Sequence, residues 1–317
     1  MKIAFFYKSE EVRELLEDSF PGNEVSFFNE KLSESNVDKI KEFEIISVFI
    51  DSEVNKNIID NLPNLKYITT RSTGYDHIDC KYAESKGIKV SNVPVYGSST
   101  VAEFAFALLL NLSRKISEAG KQLKEGGDFE TSEKCEGFDL DGKTIGVIGT
   151  GKIGKNIIRI AKAFNMKVLA YDLYPDVNFA RENGFEYKDF EEILSVSDVV
   201  TLHAPYTKEN HHLINKENIL KMKKGVYIIN TARGELVDND ALLLGINEGI
   251  VGGVGLDVLE GERNIKKGDK ISLLDKPNVI ITPHVAFYSK EAMMRIMQTT
   301  VENIKGFISG NLQNLVR

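Results

Sequence analysis

Near its middle the chain reads Lys143-Thr-Ile-Gly-Val-Ile-Gly149-Thr-Gly151-Lys-Ile-Gly154-Lys-Asn-Ile-Ile158. Thr144 to Ile148 is short, apolar and rich in β-branched residues, the pattern of a strand buried on both faces of a parallel sheet. Glycines at G-x-G-x-x-G spacing follow at once, and Ile157, Ile158, Ile160, Ala161 and Phe164 then recur with helical period. Gly149 permits a tight turn, Gly151 lets a pyrophosphate approach the backbone, and Gly154 lets the helix sit close to the strand. The helix N-terminus offers N–H groups and a positive dipole end to the phosphates, with Thr150, Lys152 and Ile153 between the glycines in the same contact. A second strand, Lys167 to Tyr171, ends in Asp172, placed to accept hydrogen bonds from ribose hydroxyls. Glycine turns are common, but these elements together point to a dinucleotide site. A carboxylate repels a 2′-phosphate, and Leu173-Tyr174-Pro175 offers no cation to offset it, so the expected cofactor is NAD rather than NADP.

The totals agree with a globular enzyme. A chain of 317 residues can form two domains, each with its own core. Apolar residues make up 42% and charged residues 27%, as in ordinary globular proteins. The net charge of −7 gives nucleic acid no basic patch, so no such partner is expected. Cys80 and Cys135 make no disulfide scaffold, and no Cys/His cluster has zinc-ligand spacing, so no metal is expected. Met1 to Lys8 lacks a signal peptide's apolar core, and the longest apolar run, Phe104 to Leu110, is too short for a bilayer. The expected location is the cytoplasm, away from membranes.

Before the glycine run, strands are expected at Ile3–Tyr7, Val25–Phe28, Ile45–Ile50, Tyr67–Thr70 and Ile88–Val90. Helices are expected at Glu11–Phe20 and Asn36–Phe43, with a short turn at Ile58–Leu62. Ser99 or Thr100 can cap one long helix, Val101 to about Lys121, with Glu103 as capping-box partner. Its first half is apolar nearly all round, so burial between larger bodies is expected. Glu125–Asp128 and Gly137–Gly142 read as loops. After Asp172, strands at Val199–His203, Val226–Asn230, Gly253–Val258 and Val279–Thr282 alternate with helices at Asp189–Leu194, Asn215–Met222 and Asn239–Glu248. A last helix, Ser289–Gly310, is expected to return to the first domain. The fold class is α/β: two Rossmann-like doubly wound parallel-sheet domains, with an NAD domain of residues 99–288 inserted into a discontinuous substrate domain of 1–98 and 289–317.

Three ionisable residues stand at or just past strand ends, where open α/β sheets bind ligands: Arg233, Glu262 and His284. A guanidinium can hold a carboxylate in two parallel hydrogen bonds. An imidazole can pass a proton near neutral pH, and a carboxylate behind it can fix its tautomer and favour its charged form. These are the parts needed to reduce a 2-keto acid with a dinucleotide. Each also admits a plain structural reading, since an Arg after a strand is commonly a surface residue and Glu262 sits in the charged loop Glu260-Gly-Glu-Arg-Asn264. His77 and the pair His211-His212 read as non-catalytic, the pair as solvated. His203 with Ala204 and Pro205 suits a wall near the cofactor.

The whole chain resembles the D-2-hydroxyacid dehydrogenase family. The matching pieces are Arg71-Ser-Thr-Gly-Tyr-Asp-His-Ile-Asp79, Asn92-Val-Pro, Val101-Ala-Glu-Phe, the glycine run and Asn230-Thr-Ala-Arg-Gly-Glu-Leu-Val-Asp238. Gly255-Leu-Asp-Val-Leu-Glu260 and Thr282-Pro-His-Val-Ala-Phe-Tyr288 complete them. The resemblance implies that Arg233 binds the substrate carboxylate, His284 gives a proton to the keto oxygen, and Glu262 orients His284. It implies carboxylate contacts from Ser72, Thr73 and Gly74, and cofactor contacts from His203, Ala204, Pro205, Thr231, Ala232 and Asp257. The aromatic Phe287 after the histidine, with Tyr96, is similar to the subgroup acting on D-lactate and D-2-hydroxyisocaproate. Pyruvate is therefore the expected substrate. Gly97-Ser98-Ser99 departs from a Ser-Pro sequence, which leaves the shape of the substrate loop open. Asn165 replaces a glycine after the cofactor helix, but Asn tolerates the left-handed conformation needed there. The family forms dimers, which implies a homodimer through Val101–Lys121. An alternative on the same fold is an NAD-sensing regulator akin to corepressors, which keep the same Arg/Glu/His set.

Overall fold

The structure, a computed structural model, describes residues 1–6, 13–127 and 129–316. It divides into two compact units, Met1–Tyr96 with Ser289–Arg317, and Gly97–Tyr288.

The first unit runs β1 (Lys2–Phe6), α1 (Arg13–Ser19), β2 (Glu24–Phe28), β3 (Ile45–Val48), α2 (Lys56–Asp60), β4 (Tyr67–Thr70), α3 (Cys80–Ser85) and β5 (Lys89–Ser91). The strands form one parallel sheet in the order β2-β1-β3-β4-β5. β3 and β4 are buried at every position, which explains their continuous apolar and small-polar runs. Asn55 and Asp79 cap α2 and α3 by accepting from Ile58 N and Tyr82 N. The expected helix Asn36–Phe43 is only a 3₁₀ turn, Val37–Ile40. Tyr7 of the first expected strand, Glu11 and Val12 of the first expected helix, and Asp128 of the loop lie outside the described residues.

The second unit opens with α4 (Ser98–Arg114) and α5 (Ile116–Lys124). One unbroken helix was the expectation, and the chain corrects it. Lys115 turns left-handed at φ 53°, and the Asn111 side chain accepts from Ser117 N at 2.8 Å, fixing the bend. The start also differs: α4 begins at Ser98 after Gly97, with no side-chain cap, so Thr100 lies inside the helix. Within this unit α4 buries one side. Ala102, Ala105, Leu108, Leu109 and Leu112 are buried, whereas Glu103 and Ala107 are exposed.

Then follow β6 (Thr144–Ile148), α6 (Lys152–Ala163), β7 (Lys167–Tyr171), α7 (Val177–Asn183), β8 (Glu186–Tyr187), α8 (Phe190–Val196), β9 (Val199–Leu202), α9 (Lys216–Ile219), β10 (Val226–Asn230), α10 (Asn239–Asn247), β11 (Val251–Leu256) and β12 (Val279–Ile281). Seven parallel strands lie in the order β12-β11-β10-β9-β6-β7-β8. The order reverses between β6 and β9, paired Ile145↔Val199 to Ile148↔Leu202, and the carboxyl ends there form the crevice in which such sheets bind ligands. Sequence reading missed α3, α7 and β8, which are short and lean on neighbours. α7 is held by the Asp176 cap, which accepts from Phe179 N at 3.0 Å. α9 is four residues long, half the expected span. Asn165, just past α6, takes φ 55° as its residue type allows.

The chain returns to the first unit as α11 (Lys290–Ser309), capped by Ser289. Phe307 stacks on Tyr67 with ring centroids 4.4 Å apart, and Asn303 O accepts from the Tyr67 hydroxyl. Among the described residues no helix is long and apolar enough to cross a membrane.

Candidate active site

At the reversal point Gly149 has φ 91°, and a Cβ on it would lie 2.7 Å from Ala204 N and from His203 C. The residue after β6 therefore presses directly on the chain leaving β9, where only glycine fits. A Cβ on Gly154 would meet Gly149 O at 2.0 Å, so α6 approaches the turn as closely as backbone can. Gly151 is different: a Cβ there meets nothing within 4 Å, leaving open surface at the N-terminus of the twelve-residue α6. Asp172 caps the end of β7. One carboxylate oxygen accepts from Thr150 N and Oγ1 at 2.6 and 2.9 Å, the other from Tyr174 N at 2.9 Å. Tyr187 of β8 bonds Thr150 Oγ1 at 2.9 Å and extends the network.

His203 Nε2 bonds Thr201 Oγ1 at 2.8 Å, while its Nδ1 is buried without a hydrogen-bond partner among the described residues. The residue as a whole is partly exposed, but Nδ1 is enclosed, and burial pushes the imidazole from 6.5 down to about 3. Thr231 Oγ1, past β10, is likewise buried and unpaired. These features fit a dinucleotide: open backbone at Gly151, a helix end for phosphates, an acid beyond β7, and two partnerless polar atoms past β9 and β10. Lys152, Ile153, Pro205 and Ala232 border the same turns.

Arg233, Glu262 and His284 all lie in this second unit. Arg233 follows β10 on a turn built by Asn230, which is fully buried. The Asn230 side chain accepts from Ala232 N at 3.0 Å and donates to Arg233 O at 2.8 Å. The guanidinium donates to Ala232 O at 2.7 Å. Next to it, a Cβ on Gly234 would come within 2.0 Å of Leu259 C, so the Arg233 turn packs on the segment leading to Glu262.

Glu262 Oε1 meets His284 Nδ1 at 2.5 Å, and its other oxygen accepts from Leu259 N at 3.1 Å. Burial opposes ionisation of Glu262, but the His284 contact, the Leu259 N–H and the charge of Arg233 outweigh it and hold the carboxyl below its ordinary value. The acid is therefore ionised, and it accepts from an Nδ1–H. His284 takes φ 54°, rare for a residue with a Cβ, and donates its backbone N–H to Asp257 O at 2.8 Å. Asp257, 1% exposed, gathers this loop by accepting from Thr282 Oγ1, Val285 N and Ala286 N at 2.5, 2.9 and 2.7 Å. Burial raises its pKa, with these donors working the other way. Phe287 is half-buried on the same loop.

Ser72, Thr73, Gly74 and Tyr96 belong to the first unit. Ser72 is buried at the end of β4, in a chain of bonds from His77 Nε2 to Thr70 Oγ1, to Ser72 Oγ and on to Gly74 O. Thr73 Oγ1 donates to Val93 O and Thr73 O accepts from Asn92, tying the turn to β5's sequel. Buried Arg71 braces the turn from beneath, donating to Phe6 O and Ser47 O. Tyr96 O accepts from Arg295 of α11.

Sequence reading assigned no role to Asn230, Gly234, Tyr187 or Arg71. Asn230, Gly234 and Arg71 all lie in runs that resemble the family, and a glycine directly after an arginine was the available signal. Tyr187 and Arg71 act through partners distant in sequence, so their contacts could not be read locally.

Comparison with known proteins completes the picture. A family model described as "D-isomer specific 2-hydroxyacid dehydrogenase, NAD binding domain" matches residues 106–286. D-lactate dehydrogenase of Escherichia coli (strain K12) is 36% identical over 325 residues, spanning 98% of each chain. Hydroxypyruvate reductase of Blautia hydrogenotrophica is 39% identical over 265 residues, spanning 82% of this chain and 81% of that one. The crystal structure of D-lactate dehydrogenase from Aquifex aeolicus complexed with NAD and lactic acid matches with TM-score 0.90 at 37% identity, covering 99% of this chain and 98% of the other. The chain belongs to the D-isomer specific 2-hydroxyacid dehydrogenase family, an NAD-dependent oxidoreductase on two Rossmann-like domains.

Proposed function

We propose that this enzyme reduces pyruvate to D-lactate, with Arg233, Glu262 and His284 as its working side chains. The 2.5 Å Glu262–His284 contact beside the Arg233 turn carries the proposal. Bound NADH supplies the hydride that the carbonyl carbon receives. Arg233 takes the substrate carboxylate in two parallel hydrogen bonds and draws charge from the carbonyl. Glu262 holds His284 by Nδ1, which leaves Nε2 to give its proton to the keto oxygen. In the reverse direction Nε2 takes the hydroxyl proton. Asp257 holds the loop that aims the imidazole.

The unit Met1–Tyr96 with Ser289–Arg317 is assigned the substrate role, through the Ser72–Gly74 turn and Tyr96. Phe287 is assigned to enclose the short side chain, and Asp172 to select NAD through the ribose. Asp172→Ala should therefore raise NADPH efficiency relative to NADH. A homodimer through α4 and α5 is supported by the character of α5, which has no fully buried residue and exposes Ile116 and Leu123. The relatives' names span lactate and hydroxypyruvate chemistry, so the deciding assay compares NADH oxidation on pyruvate, hydroxypyruvate, glyoxylate and 2-ketoisocaproate. Pyruvate should show the highest kcat/KM. A higher value for any other acid removes the lactate assignment.

A further inference from the structure

Outside the catalytic set, one side-chain cluster joins segments far apart in sequence. His211 and His212 follow a 3₁₀ turn after β9, and both Nε2 atoms face one carboxylate, that of Glu260. His212 Nε2 lies 2.9 Å from Oε2 and His211 Nε2 lies 3.8 Å from Oε1. One ligand atom from each of the three side chains lies within 4.8 Å of the others. Donor atoms around a single zinc-sized ion sit roughly 3–4 Å apart, so the set closes on a cation once the two rings turn out of their stack and aim their nitrogen lone pairs at one point. The backbone sets the two side chains next to each other. His212 adopts φ 52°, donates its N–H to Glu235 O at 2.9 Å, and lays its ring on that of His211 with centroids 3.8 Å apart. The Tyr206 hydroxyl lies 3.4 Å from His211 Nδ1, in the outer position that orients a ligating imidazole.

We propose that His211, His212 and Glu260 form a binding site for a first-row divalent transition cation such as zinc, nickel or cobalt. Two imidazoles and one carboxylate favour this class over magnesium or calcium, which take oxygen donors. Adjacent histidines gave no zinc spacing in the sequence because the third ligand arrives from 48 residues away. Glu260 stands two residues before Glu262, and its backbone packs on Gly234, so the ion fastens the loop after β9 to the segments carrying Arg233 and Glu262. Its function is to lock that arrangement against opening. The site does not depend on the substrate assigned above.

The test uses the full-length, tag-free protein stripped with chelator and titrated with cobalt(II) chloride. Visible d–d bands should grow to one equivalent without a thiolate charge-transfer band, which excludes Cys80 and Cys135 as ligands. Zinc chloride should raise the unfolding midpoint, and magnesium chloride should not. His211 is exposed, so His211→Ala should keep the wild-type midpoint without metal while binding cobalt weaker by roughly 10–100-fold or more. Glu260→Gln should weaken binding in the same way. Absence of cobalt bands at millimolar metal overturns the proposal, and so does unchanged binding in both variants.

Discussion

At the scale of single residues, the proposed chemistry rests on two side chains and the partners that aim them. Arg233→Lys keeps the charge but loses the planar fork, so one charged hydrogen bond of about 1.5–3 kcal/mol should go, raising KM for pyruvate by roughly 10–100-fold. NADH affinity, followed by fluorescence, should persist. Unchanged pyruvate kinetics would place Arg233 outside the site. His284→Ala removes the proton donor and should lower turnover by roughly 10²–10⁴-fold with NADH still bound. Reduction consumes a protonated imidazole and oxidation a neutral one. The wild-type reductive rate should thus fall as pH rises while the oxidative rate climbs. Identical pH profiles in the two directions would rule out His284 as the acid. The positions of Arg233 and His284 past strand ends were legible because strand ends are recognisable from apolar runs. Asn230 could not be recognised in the same way, since its two bonds to the turn depend on a folded backbone.

At the scale of elements, turns do the positioning, and glycines mark where backbones touch. Gly234→Ala would force a Cβ to within 2.0 Å of Leu259 C. Overpacking of this kind costs about 1–3 kcal/mol and displaces one of the two loops. The expected result is a loss of kcat/KM for pyruvate that exceeds the loss of NADH affinity, because the glycine turn after β6 is untouched while Thr231 and Ala232 lie beside the displaced loop. Wild-type kinetics in this variant would show that the two loops move independently. Helix limits were less legible than strands. The apolar stripe of α4 runs on toward α5 in the sequence, but Lys115 in a left-handed turn and the Asn111–Ser117 bonds divide them. Neither residue type announces such a break.

For the molecule as a whole, buried ionisable groups tie stability to pH. His203 has its folded pKa pushed to about 3 from 6.5, so below 6.5 the unfolded chain binds the proton and the folded chain does not. Stability is therefore lost as pH falls from 6.5 toward about 3, by at most about 1.4 kcal/mol per pH unit from this group. His203→Gln should remove that contribution and flatten the acid side of the denaturant-unfolding curve for the second unit. Parallel curves for variant and wild type would show that the ring is hydrated and not enclosed. Two units with separate cores also mean that unfolding should be followed by probes in each.

What the sequence by itself determined is the local pattern: which runs are buried strands, where the glycine turn lies, and which acid ends the second strand. Apolar periodicity and glycine spacing are consequences of local geometry, so they survive in one dimension. What only the tertiary structure decided is contact between distant segments. Strand order brings His203 against Gly149, Leu259 against Gly234, Glu262 to His284, and Glu260 to a histidine pair. Each of these pairings is set by how a parallel sheet is crossed over and closed. No spacing within a single run encodes that.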